Sequence, residues 1–152
     1  MIEKFFKDLT EITGVEAVIL YDNANSVLDS WAIPKYNPGI FTDVGETFLH
    51  AFGVLEHLNY DFGEIMIPFD RGLVYARSHS HFYLVIIARL STPVPMLRLA
   101  VNVNLHDFLE NRKVQKWMKK LSGKKFFQIK SVSLDDVEKI MLENMLEDQS
   151  NG

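Results

Sequence analysis

The stretch FGEIMIPFDRGLVYARSHSHFYLVIIARL, residues 62–90, decides the fold. It divides into three apolar, β-branched and aromatic runs at 62–68, 72–77 and 81–90, separated by Phe69-Asp70-Arg71 and Ser78-His79-Ser80. Runs of this length and composition, bounded by turn residues, predict strands. The short connections favour antiparallel neighbours, because parallel strands need a crossover of about a dozen residues or more. The run from Phe82 to Leu90 shows no polar alternation, which predicts a strand buried on both faces. It is far shorter than the ~20 apolar residues of a spanning helix.

Upstream, Pro34-Lys35-Tyr36-Asn37-Pro38-Gly39 breaks the chain before a long helix whose apolar stripe is Phe41, Val44, Phe48, Phe52 and Leu55, widened by Leu49, Ala51 and Leu58. A helix apolar over so much of its circumference tends to be covered on more than one side, by its own sheet and by a second surface. Before it, 15–21 and 27–33 form a hairpin around Asp22-Asn23-Ala24-Asn25, and Pro34 stops the second strand. Ile2, Phe5, Phe6, Leu9 and Ile12 recur at helical spacing and predict one amphipathic helix ended by Gly14.

Downstream, Thr92-Pro93-Val94-Pro95 punctuates the chain, and either proline suits an early helical position. Leu97, Val101, Leu105 and Phe108 continue at helical spacing. Val114, Trp117, Met118 and Leu121 either extend that helix or form a separate one before Gly123. Residues 125–132 read as an extended segment, and Ser133 as the N-cap of a last helix with Asp135 and Asp136 in its first turn. The apolar side of that helix would be Leu134, Val137, Ile140, Met141, Met145 and Leu146. The fold class that follows is α/β (α+β): a five-stranded antiparallel sheet sandwiched by helices in the order α-ββ-α-βββ-α. Residues 1–109 form the domain, and 110–152 a helical extension packed on it.

With 152 residues, one domain is the default. The absence of cysteine excludes disulfides, thiolate metal sites and thiol nucleophiles. Glu3, Lys4, Lys7 and Asp8 break up the N-terminus, so no secretory signal is expected there, and a cytoplasmic setting fits. The net charge of −4 is unevenly spread. Eight cations and no acid lie between Asn111 and Ser133, whereas six acids face Lys139 alone from Asp135 to Asp148. Arg112, Lys116, Lys119 and Lys120 are the candidate contacts for a polyanion. The plainer reading is a solvated helix face offset by the acidic tail, with Trp117 a core anchor among snorkelling lysines. Nucleic acid is therefore not the favoured partner.

Constellations for catalysis are missing. Glu46 and His50 stand at i,i+4 with His57 beyond, but no HExxH-type motif is present, and a surface Glu–His pair explains them. His79 and His81 sit in a turn-like stretch and are too few ligands for a metal. Ser122-Gly123-Lys124-Lys125 lacks the first glycine and the final Ser/Thr of a phosphate loop. No nucleophile elbow or dinucleotide fingerprint appears. The expectation is a non-enzyme without cofactor or metal.

Ile12-Thr13-Gly14-Val15-Glu16-Ala17-Val18-Ile19-Leu20, in which a helix ends in a Gly-Val pair leading into a strand, resembles the opening of roadblock/LC7 domains. The order of elements after it, and Val94-Pro95-Met96-Leu97-Arg98-Leu99 at the start of the third helix, are similar too, so that the likeness covers residues 2–109. Asn23-Ala24-Asn25 departs from the glycine that many members carry in the first turn, but Asn tolerates left-handed backbone. The resemblance implies a homodimer or heterodimer joined through the second helix and the next strand, with Phe41, Val44, Phe48, Phe52, Leu55, Ile65 and Ile67 at the interface. It further implies a scaffold for a Ras-like small GTPase or a signalling or motor complex. A small-molecule sensor of the PAS or GAF kind is the alternative, and it requires a ligand cavity inside the monomer.

Overall fold

A computed structural model describes residues 1–58 and 63–121. The expected segments at 122–125, 125–132 and 134–146 lie outside the described residues. In chain order the elements are α1 (Ile2–Phe5), α2 (Lys7–Thr10), β1 (Val15–Asp22), β2 (Val27–Ala32), α3 (Ile40–His57), β3 (Glu64–Phe69), β4 (Gly72–Ser78), β5 (Phe82–Ala88), α4 (Val94–Glu110) and α5 (Arg112–Leu121). The strands form one antiparallel sheet in the order β2-β1-β5-β4-β3.

This order explains the unbroken apolar runs. β1 and β5 lie side by side within the sheet and are buried along their whole length. Residues of alternate parity feed two cores. Val18, Leu20, Leu84 and Ile86 pack with Phe6, Leu9, Leu97, Val101 and Phe108 on one face. Ala17, Ile19, Val85 and Ile87 pack with Phe41, Phe48, Leu49 and Phe52 of α3 on the other. With apolar cover on both faces, neither strand has a solvent side to mark with polar residues.

The hairpin turn forms as its residues predict. The carboxylate of Asp22 accepts the backbone N–H groups of Ala24 and Ser26, both at 2.9 Å. Asn25 takes the left-handed conformation with φ 65°. Gly14, between α2 and β1, has φ 102°, and a Cβ there would stand 2.3 Å from the Thr92 hydroxyl. The glycine of the Gly-Val junction is thus required by backbone conformation and by space together.

Two helices differ from expectation. The N-terminal segment is broken at Phe6, which leaves helical geometry at φ −116°, ψ 27°. That step brings both Phe5 and Phe6 to 5.3 Å from the Phe108 ring while Ile2 and Leu9 stay buried. The open choice after Leu109 resolves as a separate helix. Asn111 is extended, at φ −73° and ψ 123°, and its side-chain oxygen accepts the N–H groups of Lys113 and Val114, capping α5. α5 then lays Val114, Trp117 and Met118 on the first core, with Trp117 6.2 Å from Phe108. No described helix is long and apolar enough to cross a membrane.

Candidate functional site

The feature that the fold leaves unfinished is β3. It terminates the sheet, pairing with β4 from Glu64↔Arg77 to Phe69↔Gly72, and among the described residues no strand lies beyond it. Among the described residues its outer row of backbone groups is therefore a free edge. The strand is apolar on both faces. Ile65, Ile67 and Phe69 share the face that α3 covers further in, while Glu64, Met66 and Pro68 point to the α4 side. Met66, Ile67 and Phe69 are 42–43% exposed, whereas Ile65 is half-buried and packs with Val74 against the α3 core.

α3 is seated on the same face of the sheet as Ile65, over β1 and β5, by polar groups on those two strands. The rings of Tyr21 and Tyr83 stack at 4.8 Å beneath its first turns. Tyr21 donates its hydroxyl to the Phe41 carbonyl, and Tyr83 donates to the Gly45 carbonyl at 2.7 Å and to Asn25 Oδ1 at 3.0 Å. Burial raises the pKa of both phenols, so they remain neutral donors. The helix comes close because residue 45 is glycine: a Cβ there would lie 2.3 Å from Asn25 Oδ1 and 2.4 Å from the Tyr21 ring.

The start of β3 is held from the other side. Arg98 of α4 donates to Glu64 through Nη2 at 2.6 Å and through Nε at 3.1 Å. Tyr75 donates to the same carboxylate at 2.5 Å, and Arg77 lies 3.5 Å from it. These hydrogen bonds, that of Arg98 foremost, hold the Glu64 carboxyl below its ordinary range despite partial burial. The carboxylate thus ties the entrance of the free strand to both β4 and α4.

The seven residues expected at an interface divide by position. Phe41, Phe48 and Phe52 are buried under α3 within the chain, with Phe52 6.3 Å from the Tyr83 ring. Val44, Leu55 and Ile65 are half-buried, and Ile67 is exposed. Met66 and Phe69 join the exposed edge although the sequence pattern does not single them out, and β3 runs on through Phe69, one residue past the expected strand end. Ile40 and Leu58 are exposed at the two ends of α3. Arg112, Lys116, Lys119 and Lys120 all lie on the exposed side of α5, opposite its core contacts, and Trp117 is used in packing. Among the described residues no group of three or more His, Asp or Glu side chains could hold a metal. His79 stacks on Phe82 at 4.8 Å and 6.2 Å from His81; burial, then the charge of His81, lowers its pKa.

No protein-family model matches the chain, and no curated protein does. Solved structures match with confidence. The gliding protein MglB from Thermus thermophilus is 21% identical, over 67% of this chain and 83% of that one, with a TM-score of 0.55. An MglB structure described as having a tetrameric arrangement is 19% identical, over 78% and 90%, with a TM-score of 0.58. A roadblock/LC7 domain from Streptomyces avermitilis is 10% identical, over 66% and 88%, with a TM-score of 0.54. The fold of this chain is that of roadblock/LC7 domains.

Proposed function

We propose that this chain is a non-catalytic interaction scaffold that pairs through β3 and α3 with a second copy of itself or with another subunit of the same fold. The observation that carries this reading is the β3 edge, free among the described residues, with Ile67 and Phe69 exposed on the sheet face that α3 covers further in. An uncovered apolar edge strand invites pairing and is normally blunted by charge, proline or a covering element. Here Pro68 is the sole blunting residue between 65 and 69, and no charged residue stands among them. Partner strands would continue the sheet through main-chain hydrogen bonds, and α3 would meet its counterpart on one face. In this arrangement Ile67 and Phe69 form the centre, and Val44, Leu55 and Ile65 the margin. Phe41, Phe48 and Phe52 act indirectly, by holding α3 on the sheet. The tetrameric MglB arrangement supports assembly as a use of this fold.

The partner class follows from the resemblance: the assembled pair offers its surface to a Ras-like small GTPase or to a signalling or motor complex containing one. Light scattering over a dilution series tests the pairing. Twice the chain mass at micromolar concentration is expected, and a monomer at every concentration would refute it. Capture of purified small GTPases loaded with GTP or GDP tests the second step. Retention that depends on the nucleotide is expected. A dimer that retains no GTPase in either state would leave the scaffold and remove this partner.

A further inference from the structure

α4 carries a second exposed apolar feature, which the β3 surface does not use. Leu97, Val101, Leu105 and Phe108 face the core, whereas Met96, Leu99 and Val103 are 51, 65 and 45% exposed. Their spacing of i, i+3 and i+7 places them in one stripe along the outer side of the helix. We propose that this stripe is the seat of the chain's own segment 134–146, which lies over it with Leu134, Val137, Met141 and Met145 inward. This inference is independent of the pairing proposed for β3.

Three observations select this occupant. The first is pattern: the four inward residues recur at helical spacing, and methionine adapts to an irregular apolar surface. The second is reach. α5 packs against α4 and ends at Leu121, and twelve residues, 122–133, separate it from Leu134. Extended, they span up to about 40 Å. The 17 residues of α4 measure only about 25 Å, so every part of the stripe is accessible. The third is charge. The exposed side of α5 presents Arg112, Lys113, Lys116 and Lys120, and the segment with its immediate flank carries six acids against Lys139. A segment crossing α4 with its apolar side down brings those acids beside the cations at the end of the helix. The cationic run and the acidic tail then complement each other within one molecule.

The lack of native cysteine makes a direct test simple. A nitroxide is attached to the full-length chain through Asn102→Cys, an exposed position on α4 beside the stripe, and the methionine methyl signals are recorded at low and high salt. Loss of the Met141 and Met145 signals together with that of nearby Met96 is expected, with partial recovery in high salt. A second chain that also carries Leu99→Asp should keep its fold, because Leu99 is exposed, and should regain the Met141 and Met145 signals. Sharp Met141 and Met145 signals beside a broadened Met96 would overturn the proposal. So would broadening that arises only between a spin-labelled copy and a separately isotope-labelled one, since a second copy would then occupy the stripe.

Discussion

The two edges of the sheet are built on opposite principles. β2 is held by its own chain: α1 and α3 both contact it, and Leu28 and Trp31 pack against the first core. The N-terminal ammonium lies 2.8 Å from Asp29, and the backbone N–H of Ile2 donates to the same carboxylate at 2.7 Å. A register shift at Leu20/Tyr21 further distorts the β1–β2 ladder. Charge, bulge and covering helix are standard ways to stop an edge from pairing. β3 has no bulge in its register with β4, no charged residue from 65 to 69, and three large apolar side chains over two-fifths exposed. Its one charge, Glu64, is consumed in fixing the strand to α4 and β4. Among the described residues the sheet is thus blunted on one side and left apolar and unpaired on the other, and the proposed pairing rests on that difference.

The largest expected effect comes from the support beneath both edges. Phe52→Glu places a carboxylate against Tyr83 in the α3 core. Loss of aromatic packing and burial of a charge together should cost more than about 4 kcal/mol, which unfolds most domains of this size. Urea denaturation followed by circular dichroism should show little folded protein. A folded variant of reduced mass would instead place Phe52 at the subunit contact.

Next come matched substitutions on the two edges. Ile67→Lys should dissociate the assembly while leaving the thermal midpoint within a few degrees of the parent, since the side chain is exposed in the single chain. A central apolar contact is worth about 2 kcal/mol, or roughly a thirtyfold rise in the dissociation constant. Ser30→Lys, on β2, should leave the mass unaltered. Equal weakening by both would erase the contrast between the edges.

The contrast was only partly legible in the sequence. The meander of β3, β4 and β5 followed from two connections too short for crossovers, and the Asn25 turn from its residue types. The apolar stripe of α3 was visible as well, but periodicity does not say which of several apolar residues meets its own sheet. Phe41, Phe48 and Phe52 do so because Tyr21, Tyr83 and Gly45 bring the helix down on that side, a contact spanning 38 residues between Tyr83 and Gly45. The Glu64–Arg98 pair, 34 residues apart, left no local signal either. Nor did the break at Phe6, since the apolar spacing of an unbroken helix and of two short ones is the same there.

A smaller effect separates the edges by pH. Burial pushes the Asp29 carboxyl up, but hydrogen bonds from the N-terminal ammonium and from the backbone of Ile2 and Ser30 outweigh it and hold the pKa below the ordinary value. A depressed folded-state pKa contributes stability above the unfolded value of about 4, and that contribution disappears as pH falls through the folded value. Asp29→Asn should therefore cost no more than about 1 kcal/mol at neutral pH, consistent with a partly exposed ion pair, and should flatten the acid limb of the stability curve. Amide exchange should accelerate along β2 and stay unaltered along β3. Acceleration along β3 instead would show that the N-terminal pair does not guard the edge it touches.

The smallest effect tests whether the open edge is held rigid for its task. Glu64→Gln keeps the shape of the side chain and removes the charge that Arg98 and Arg77 face, so the entrance of β3 loses its tie to α4 while the apolar row from Ile65 to Phe69 is intact. Glu64, like Asp29, has a lowered pKa, in this case through Arg98 first. Its contribution is therefore present above the unfolded pKa of about 4.3 and lost as pH falls through the folded value. If a preformed strand lowers the ordering cost of pairing, Glu64→Gln should weaken the assembly by less than about tenfold and raise amide exchange at residues 63–66 in the monomer. Assembly strength unmoved by faster exchange would mean that the partner itself orders the edge. An open strand would then be sufficient, and the carboxylate would serve only the single chain.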